Sequence, residues 1–232
     1  MKYVITQFSY FRKMLVIFSS PPFYNKYVCL PRASDPCPPE IRRNPKFWPF
    51  FKDALGAIDG SHIHCSPPAS ERAFYQNRKG FLSQNCLFAC SFNLQFIYSF
   101  TGWEGSAADA RVYENACLQD LLILNGNYYL ADAGFSLCRQ LLIPYCGPRY
   151  HLAEWGRACV RQVSSHYFKI NLCDDCRPVN KEELFNLHHA LAQNMIECIF
   201  SILKRRYRIL LLAPEYSLEI SSSNTISISC NP

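Results

Sequence analysis

The chain has 232 residues, 49% of them hydrophobic and 15% aromatic, enough to bury a sizeable core, and that composition excludes general disorder. Its formal charge of +6 and pI near 8.7 suit a polyanionic partner without specifying one, since domains that bind nucleic acid are often more basic. The apolar run Met14–Phe18 is too short to span a membrane and lacks a signal-peptide cleavage region, so a soluble chain with no membrane partner is expected.

Residues 1–50 read as a separate N-terminal segment. A short helix near Phe8–Phe18 gives way to a connector containing Pro21, Pro22, Pro31, Pro36, Pro38 and Pro39, and prolines at that density favour extended or turn structure. No complete recognition helix is evident there. Asn44–Lys52 carries Phe47, Trp48, Phe50 and Phe51, aromatics expected to pack onto the domain that follows. Ala54–Ser61 then reads Ala-Leu-Gly-Ala-Ile-Asp-Gly-Ser. It is apolar and short enough for a buried central strand, and it stops at an acid followed by glycine.

The polar loop Ser66–Gly80 holds Arg72, Arg78, Lys79 and Tyr75. Cations interleaved with an aromatic suit a phosphate backbone, although a merely solvated loop has the same composition. Asn85–Phe92 and Gln95–Trp103 read as strands joined by a tight turn near Asn93, and with the Asp59 strand they make a three-stranded meander. Ser106 is the expected N-cap of a helix from Ala107 to about Leu122, with Asp109 in its first turn, where an acid also serves the helix dipole. Tyr128–Ala131 is a short strand that ends at Asp132 and is followed by Ala133-Gly134, so the pattern of strand, acid and glycine occurs twice. Leu141–Tyr145 reads as a further strand and His151–Arg161 as a basic loop with Trp155.

The last helix is expected to begin after Asn180, with Glu182 and Glu183 in its first turn, and to run to about Leu211. Leu184, Leu187, Leu191, Met195, Ile199 and Ile202 fall at helical spacing as its apolar face. Glu197 sits among Ile196, Ile199 and Phe200. A lone acid there is more often a solvated side-face residue, but the two strand-end acids supply it with partners. The serine-rich stretch from Ser217 onward reads as a frayed, disordered tail.

The thirteen cysteines are odd in number and lie mostly in apolar segments, as Cys86, Cys90 and Cys198 do, which favours reduced, buried thiols over a secreted disulfide framework. The one CxxC, Cys173-Asp-Asp-Cys176, lacks the second pair that a structural zinc site needs.

Carboxylates at the tips of core strands are costly to bury unless paired, hydrogen-bonded or bound to a cation. Asp59, Asp132 and Glu197, brought together, would make a hard, all-oxygen site suited to Mg²⁺ or Mn²⁺. Two such ions can activate a water or a 3′-hydroxyl and stabilise the leaving oxygen of an in-line phosphodiester displacement.

At this point the chain resembles the PIF/Harbinger-type transposases and their nuclease relatives, of the DDE superfamily. The blocks that carry the resemblance are Gly56-Ala-Ile-Asp-Gly-Ser-His-Ile63, Asn77-Arg-Lys-Gly-Phe81, Gly102-Trp-Glu-Gly-Ser-Ala-Ala-Asp-Ala-Arg-Val112, Tyr129-Leu-Ala-Asp-Ala-Gly-Phe135 and Asn194–Arg208, in that order. The resemblance implies an α/β, RNase H-like mixed sheet with the three-stranded meander and flanking helices. It puts Asp59, Asp132 and Glu197 in the places of the catalytic, metal-binding triad, with Asp109 as a supporting acid and Mg²⁺ or Mn²⁺ as cofactor. DNA is then the partner, with Arg72, Arg78, Lys79, Lys204, Arg205 and Arg206 as candidate contacts, although Lys204–Arg206 equally suit a solvated helix end. The nucleus is the expected compartment, with the cytoplasm second.

On this reading residues 1–50 are a remnant N-terminal segment, 51–216 the endonuclease domain with an insertion at 162–176, and 217–232 the tail. Family members usually carry an N-terminal helix-turn-helix region, not recognisable here, so a separate DNA-binding subunit is a further expected partner. Retained intron sequence would account for the insertion and the tail. The competing reading is a catalytically inactive, transposase-derived protein that binds DNA or protein.

Overall fold

The structure is a computed structural model that describes residues 2–156, 177–212 and 218–229. The expected insertion at 162–176 lies outside the described residues. Five strands form one open mixed sheet in the order β3-β2-β1-β4-β5. They are β1 (Ala54–His64), β2 (Ser83–Cys90), β3 (Phe96–Glu104), β4 (Tyr128–Leu130) and β5 (Leu141–Leu142). The first three make the expected antiparallel meander, with Asp59 opposite Phe88 in the β1–β2 register. β4 and β5 add in parallel on the other side of β1. β1 approaches β2 most closely at Gly56, where a Cβ would come within 2.0 Å of the Cys90 carbonyl oxygen, a position only glycine fills.

Short helices α2 (Phe23–Tyr27), α3 (Pro39–Arg42) and α4 (Arg72–Tyr75) follow the N-terminal α1 (Lys2–Phe18) in chain order, and two longer helices cover opposite faces of this sheet. The long helix α7 (Lys181–Arg206) shares a core with Ala57, Ile63, Cys86 and Phe88, while α5 (Asp109–Gln119) contributes Val112, Tyr113 and Ala116 to a second core with Ile58, Leu87 and Ala89. Side chains alternate along a strand, so Ala57, Asp59 and Ile63 face α7, whereas Ile58, Gly60 and His62 face α5. β2 is buried along its whole length, as a central strand covered on both faces should be.

α7 begins where its sequence says it should. The Asn180 side chain accepts the Glu183 backbone N–H at 2.8 Å, satisfying one of the free donors of the first turn. Its apolar face is turned slightly from the expected one. Leu187, Leu191, Met195 and Ile199 are buried, but Leu184 is 45% exposed, and Ile196, Phe200 and Leu203 complete the stripe. The helix stops at Arg206, short of Leu211, and a single 3-10 turn at Arg208–Leu210 follows.

Other boundaries shift for identifiable reasons. Ser106 is not the cap of α5: Ala108 takes that position in extended conformation, without a side-chain hydrogen bond. β5 ends at Leu142 because the Tyr145 backbone N–H and carbonyl are both taken by the Asn186 amide, at 2.8 and 3.0 Å. The first part of the expected basic loop instead folds into a short helix, α6 (Leu152–Gly156), whose Trp155 is fully buried, while its remainder, 157–161, lies outside the described residues. Of the aromatic run, Phe47 and Phe51 enter the core while Trp48 and Phe50 stay exposed.

The serine-rich end is also a correction. Leu218–Ser229 is a helix, α8, packed against β3 and against the N-terminal helix α1 (Lys2–Phe18). Ser221 and Thr225 are buried, and Thr225 Oγ1 donates to the Ser221 carbonyl at 3.0 Å. Ser222 Oγ donates to Gln84 Oε1 at 2.9 Å, and Gln84 Nε2 donates to the Leu218 carbonyl. Hydroxyls that look disordered in composition are here the means of docking a polar helix on a buried strand amide.

The nine cysteines among the described residues are all free. Cys86 and Cys90 are buried as expected and Cys65 is buried too, but Cys198, also expected inside, is only partly buried like Cys37, and Cys29, Cys117, Cys138 and Cys146 are exposed. No helix among the described residues is long and apolar enough to cross a membrane.

Candidate active site

The parallel pairing of β1 with β4 sets Ala57 opposite Leu130. Asp59 stands two residues further along β1, and Asp132 two residues past the last paired residue of β4. β4 has ended by then, so β1 is unpaired on that side from Ile58 onward and leaves an opening beside Asp59. α7 crosses the face to which Asp59 points and brings Glu197 toward it. The fourth acid arrives from the opposite face. Asp109, the first residue of α5, lies over Gly60, where a Cβ would come within 1.9 Å of its Oδ1. The glycine after Asp59 is thus the space in which the Asp109 carboxylate sits. Asn85, buried in β2, holds that carboxylate with a 2.7 Å bond from Nδ2 and gives its second hydrogen to the Ala107 carbonyl at 3.0 Å.

The electrostatics show four acids in one neighbourhood. Burial first, and then the charges of Asp132 and Asp109, push the Asp59 carboxyl well above the usual range, against the Gly60 N–H that it accepts at 2.8 Å. Burial also raises Asp132, with Asp109 adding to it, while the Gly134 N–H at 2.8 Å and the charge of His151 act the other way. Glu197 is raised by burial and by Asp132 and lowered by His151. The one ion pair among the described residues, Arg149 with Glu183 at 3.0 Å, involves none of the four. Acids pressed together in this way favour protonation or a bound cation.

A divalent ion fits the chemistry of this donor set, which offers only hard carboxylate oxygens with no paired counter-charge. Among the described residues no three His, Cys, Asp or Glu side chains are drawn in tightly enough to enclose an ion as they stand. The donor chemistry is therefore present and the closed coordination geometry is not.

A basic and aromatic wall continues from the acids along β1. Lys204, seven residues after Glu197 on α7, is half-buried and donates to the His62 carbonyl at 3.2 Å; burial lowers its pKa, and the nearby Asp59 acts against that. His62 Nδ1 pairs with Ser83 Oγ at 3.1 Å, and the same oxygen accepts Asn77 Nδ2 at 3.0 Å. Asn77 Oδ1 in turn accepts the Lys79 and Phe81 backbone N–H groups at 2.9 and 3.3 Å. The turn that presents Arg78 and Lys79 is thereby fixed to the strand of the acids. Burial lowers the His62 pKa, Asp109 acts against that, and Lys204, Lys79 and Arg78 lower it further. Arg72, Arg78, Lys79, Arg205 and Arg206 are exposed. Phe81 stacks on His64 with 4.4 Å between ring centroids.

A cavity of about 620 Å³ lies elsewhere, at the opposite end of β1, between the proline-rich connector and Ala54, Leu55 and Asn127. It contains none of the four acids. The acids instead sit where β4 has ended beside β1, an opening that a polymer can reach.

An open mixed sheet with helices on both faces, an antiparallel meander, an acid within the first strand and another just past the fourth defines the RNase H-like class of nuclease fold. Residues 58–230 match the family model described as DDE superfamily endonuclease, and the chain belongs to that family. No curated protein and no solved structure matches it.

Several residues of this site carry no signal in the sequence. Gly60 reads only as a place where some other group can approach the backbone, without naming Asp109, and Asn85 as the start of a strand. The inward course of Lys204 and the approach of His151 to the acids depend on tertiary packing alone. The one available clue was the spacing of Lys204 from Glu197, two helical turns on the same face.

Proposed function

We propose that the chain is a divalent-metal-dependent DNA endonuclease of the PIF/Harbinger transposase type, with Asp59, Asp132 and Glu197 as its catalytic and metal-binding triad. The observation that supports this reading is the parallel pairing of β1 with β4, which ends two residues short of both Asp59 and Asp132, with α7, the helix of Glu197, packed on β1. The family assignment supports a nuclease acting on DNA.

In this reading Asp59, Asp132 and Glu197 hold Mg²⁺ or Mn²⁺, which when bound would activate the attacking water or 3′-hydroxyl and stabilise the leaving oxygen. Asp109, tied down by Asn85, adds negative charge beside Asp59 and fixes the entry of α5. Arg78 and Lys79 receive the phosphates of the strand on a turn already braced by Asn77, and Arg72, Lys204, Arg205 and Arg206 extend the cationic track. Lys204 has a second task, since its bond to the His62 carbonyl ties α7 to β1 beyond Glu197 and Asp59. Residues 51–216 form the nuclease domain in this proposal, α8 being added to it by its packing. A DNA substrate places the protein in the nucleus, and a separate subunit supplies sequence recognition.

The test is conversion of supercoiled plasmid to nicked and linear forms by purified protein in Mg²⁺ or Mn²⁺, beside the same reaction in EDTA. Metal-dependent conversion supports the endonuclease. Folded protein that binds DNA and leaves it intact in both metals supports the inactive DNA-binding alternative.

A further inference from the structure

The face of α5 that carries Tyr113 packs on the segment that follows Asp132. The Tyr113 ring meets Phe135 edge-on, with 6.1 Å between centroids, and its hydroxyl lies 4.0 Å from Cys138 Sγ. Cys117 stands one helical turn after Tyr113, where residues four apart share a face, and its thiol reaches the same hydroxyl. The two thiols are therefore neighbours across Tyr113, carried on different elements. Both are exposed, and Cys138 belongs to a stretch, 136–140, that is exposed throughout. The cysteines of β2 differ: Cys86 and Cys90 are buried, and burial pushes each thiol up to about 12, so neither offers a thiolate to an oxidant at neutral pH.

α5 opens with Asp109, and the Phe135 N–H turns back on the Asp132 carbonyl at 3.3 Å. A bond between Cys117 and Cys138 would thus join the carriers of two of the four acids. Among the described residues the acids do not enclose an ion as they stand, and closing on one requires these carriers to move.

We propose that Cys117 and Cys138 form a reversible, peroxide-sensitive disulfide that clamps α5 to the segment after Asp132 and holds the acids apart. The hold on the acids rests on the DNA-cleaving reading above, whereas the bond itself does not. Hydrogen peroxide is the oxidant. The Cys138 thiolate attacks its O–O bond, giving a sulfenic acid and a hydroxide that takes up a proton to become water. The Cys117 thiolate then attacks the sulfenic sulfur, the S–S bond forms, and hydroxide leaves to become a second water. Two thiols and one peroxide become one disulfide and two waters, and a dithiol reductant reverses the change.

The experiment treats the full chain with hydrogen peroxide, blocks the remaining thiols with N-ethylmaleimide and weighs the tryptic peptide 112–139, which holds these two cysteines and no others. Cys117→Ser and Cys138→Ser run beside wild type. The wild-type peptide should lose two hydrogens and take up no label, and dithiothreitol should restore two labelled thiols. The bond closes a loop of about twenty residues, so the oxidised protein should melt about 5–10 °C higher, a shift absent in either serine variant. Plasmid cleavage in Mg²⁺ should fall about tenfold on oxidation, recover with dithiothreitol and stay unchanged in the serine variants. A peptide that keeps two labelled thiols, or that gains oxygen on one sulfur without pairing, would overturn the disulfide. A disulfide that leaves cleavage at its reduced rate would overturn the hold on the acids. A disulfide in protein that cleaves in neither state refutes the endonuclease and leaves the bond standing.

Discussion

At the scale of single residues, the site depends on where one side chain is missing. Gly60 has no Cβ, and the Asp109 carboxylate occupies the space one would take, 1.9 Å away. Gly60→Ala should push Asp109 off its Asn85 partner and disturb Asp59 next door. A displacement of about 1 Å in a catalytic constellation can cost on the order of a hundredfold in rate. The expected outcome is a fall in cleavage of ten- to a hundredfold with DNA affinity little changed, measured by plasmid conversion beside a binding titration. Wild-type cleavage in Gly60→Ala would remove Asp109 from the account. His189 gives a separate prediction about pH. Its burial holds the folded-state pKa at about 4, below the ordinary 6.5, so as pH falls the unfolded chain takes up the proton first. The stabilisation is fully present above pH 6.5 and is lost toward pH 4, by at most about 3 kcal/mol. His189→Gln keeps a donor for Leu142 without a titrating ring, and its melting temperature should fall less than that of wild type between pH 7 and pH 4.5.

At the scale of elements, α7 positions Glu197 only as well as its apolar stripe seats it. Phe200 is the central contact, with its ring 5.4 Å from Phe88 and 6.2 Å from Phe96. Phe200→Ala should cost about 3–5 kcal/mol of stability through lost burial and the cavity left behind. Chemical denaturation would read this as a lower midpoint, and a loss below about 1 kcal/mol would show that α7 is seated elsewhere. The elements also show what the sequence can disclose. The positions of Asp59 and Asp132 were legible because each follows a short apolar run and precedes a glycine, a pattern contained within a few residues, whereas the run of β1 past Asp59 to His64 was not, since it is set by antiparallel pairing with β2. The start of α7 was legible because Asn180 followed by Glu182 and Glu183 is local capping chemistry. The end of β5 was not, since it is set by Asn186, which lies 41 residues away from Tyr145 in the chain. Ser106 misled for a related reason: its chemistry suits a cap, but β3 and the Ala107–Asn85 bond determine where α5 enters.

At the scale of the whole molecule, the two chain ends meet. α1 packs on α8, and α8 packs on β3, the edge strand furthest from β5 in the sheet order. Composition could not reveal this, because a serine-rich segment has little apolar surface and low helix propensity, and its stability comes from Gln84 and the buried sheet beneath it. Truncation after residue 212 should leave the buried Gln84 amide without Leu218 and Ser222 and lower stability by on the order of 2 kcal/mol, seen as a drop in melting temperature. An unchanged melting temperature would return the segment to the status of a dispensable tail.

The central claim is that Asp59, Asp132 and Glu197 act together as ligands of the catalytic metal. Its most direct measurement is plasmid cleavage over a range of Mg²⁺ and Mn²⁺ by Asp59→Asn, Asp132→Asn and Glu197→Gln, each beside a DNA-binding titration at fixed salt. Each substitution keeps side-chain size and removes one negative oxygen donor, while Arg78 and Lys79 remain to bind phosphate. The expected result is cleavage abolished in all three with affinity largely kept. Wild-type cleavage by any one of them, across the metal range, would contradict the shared site.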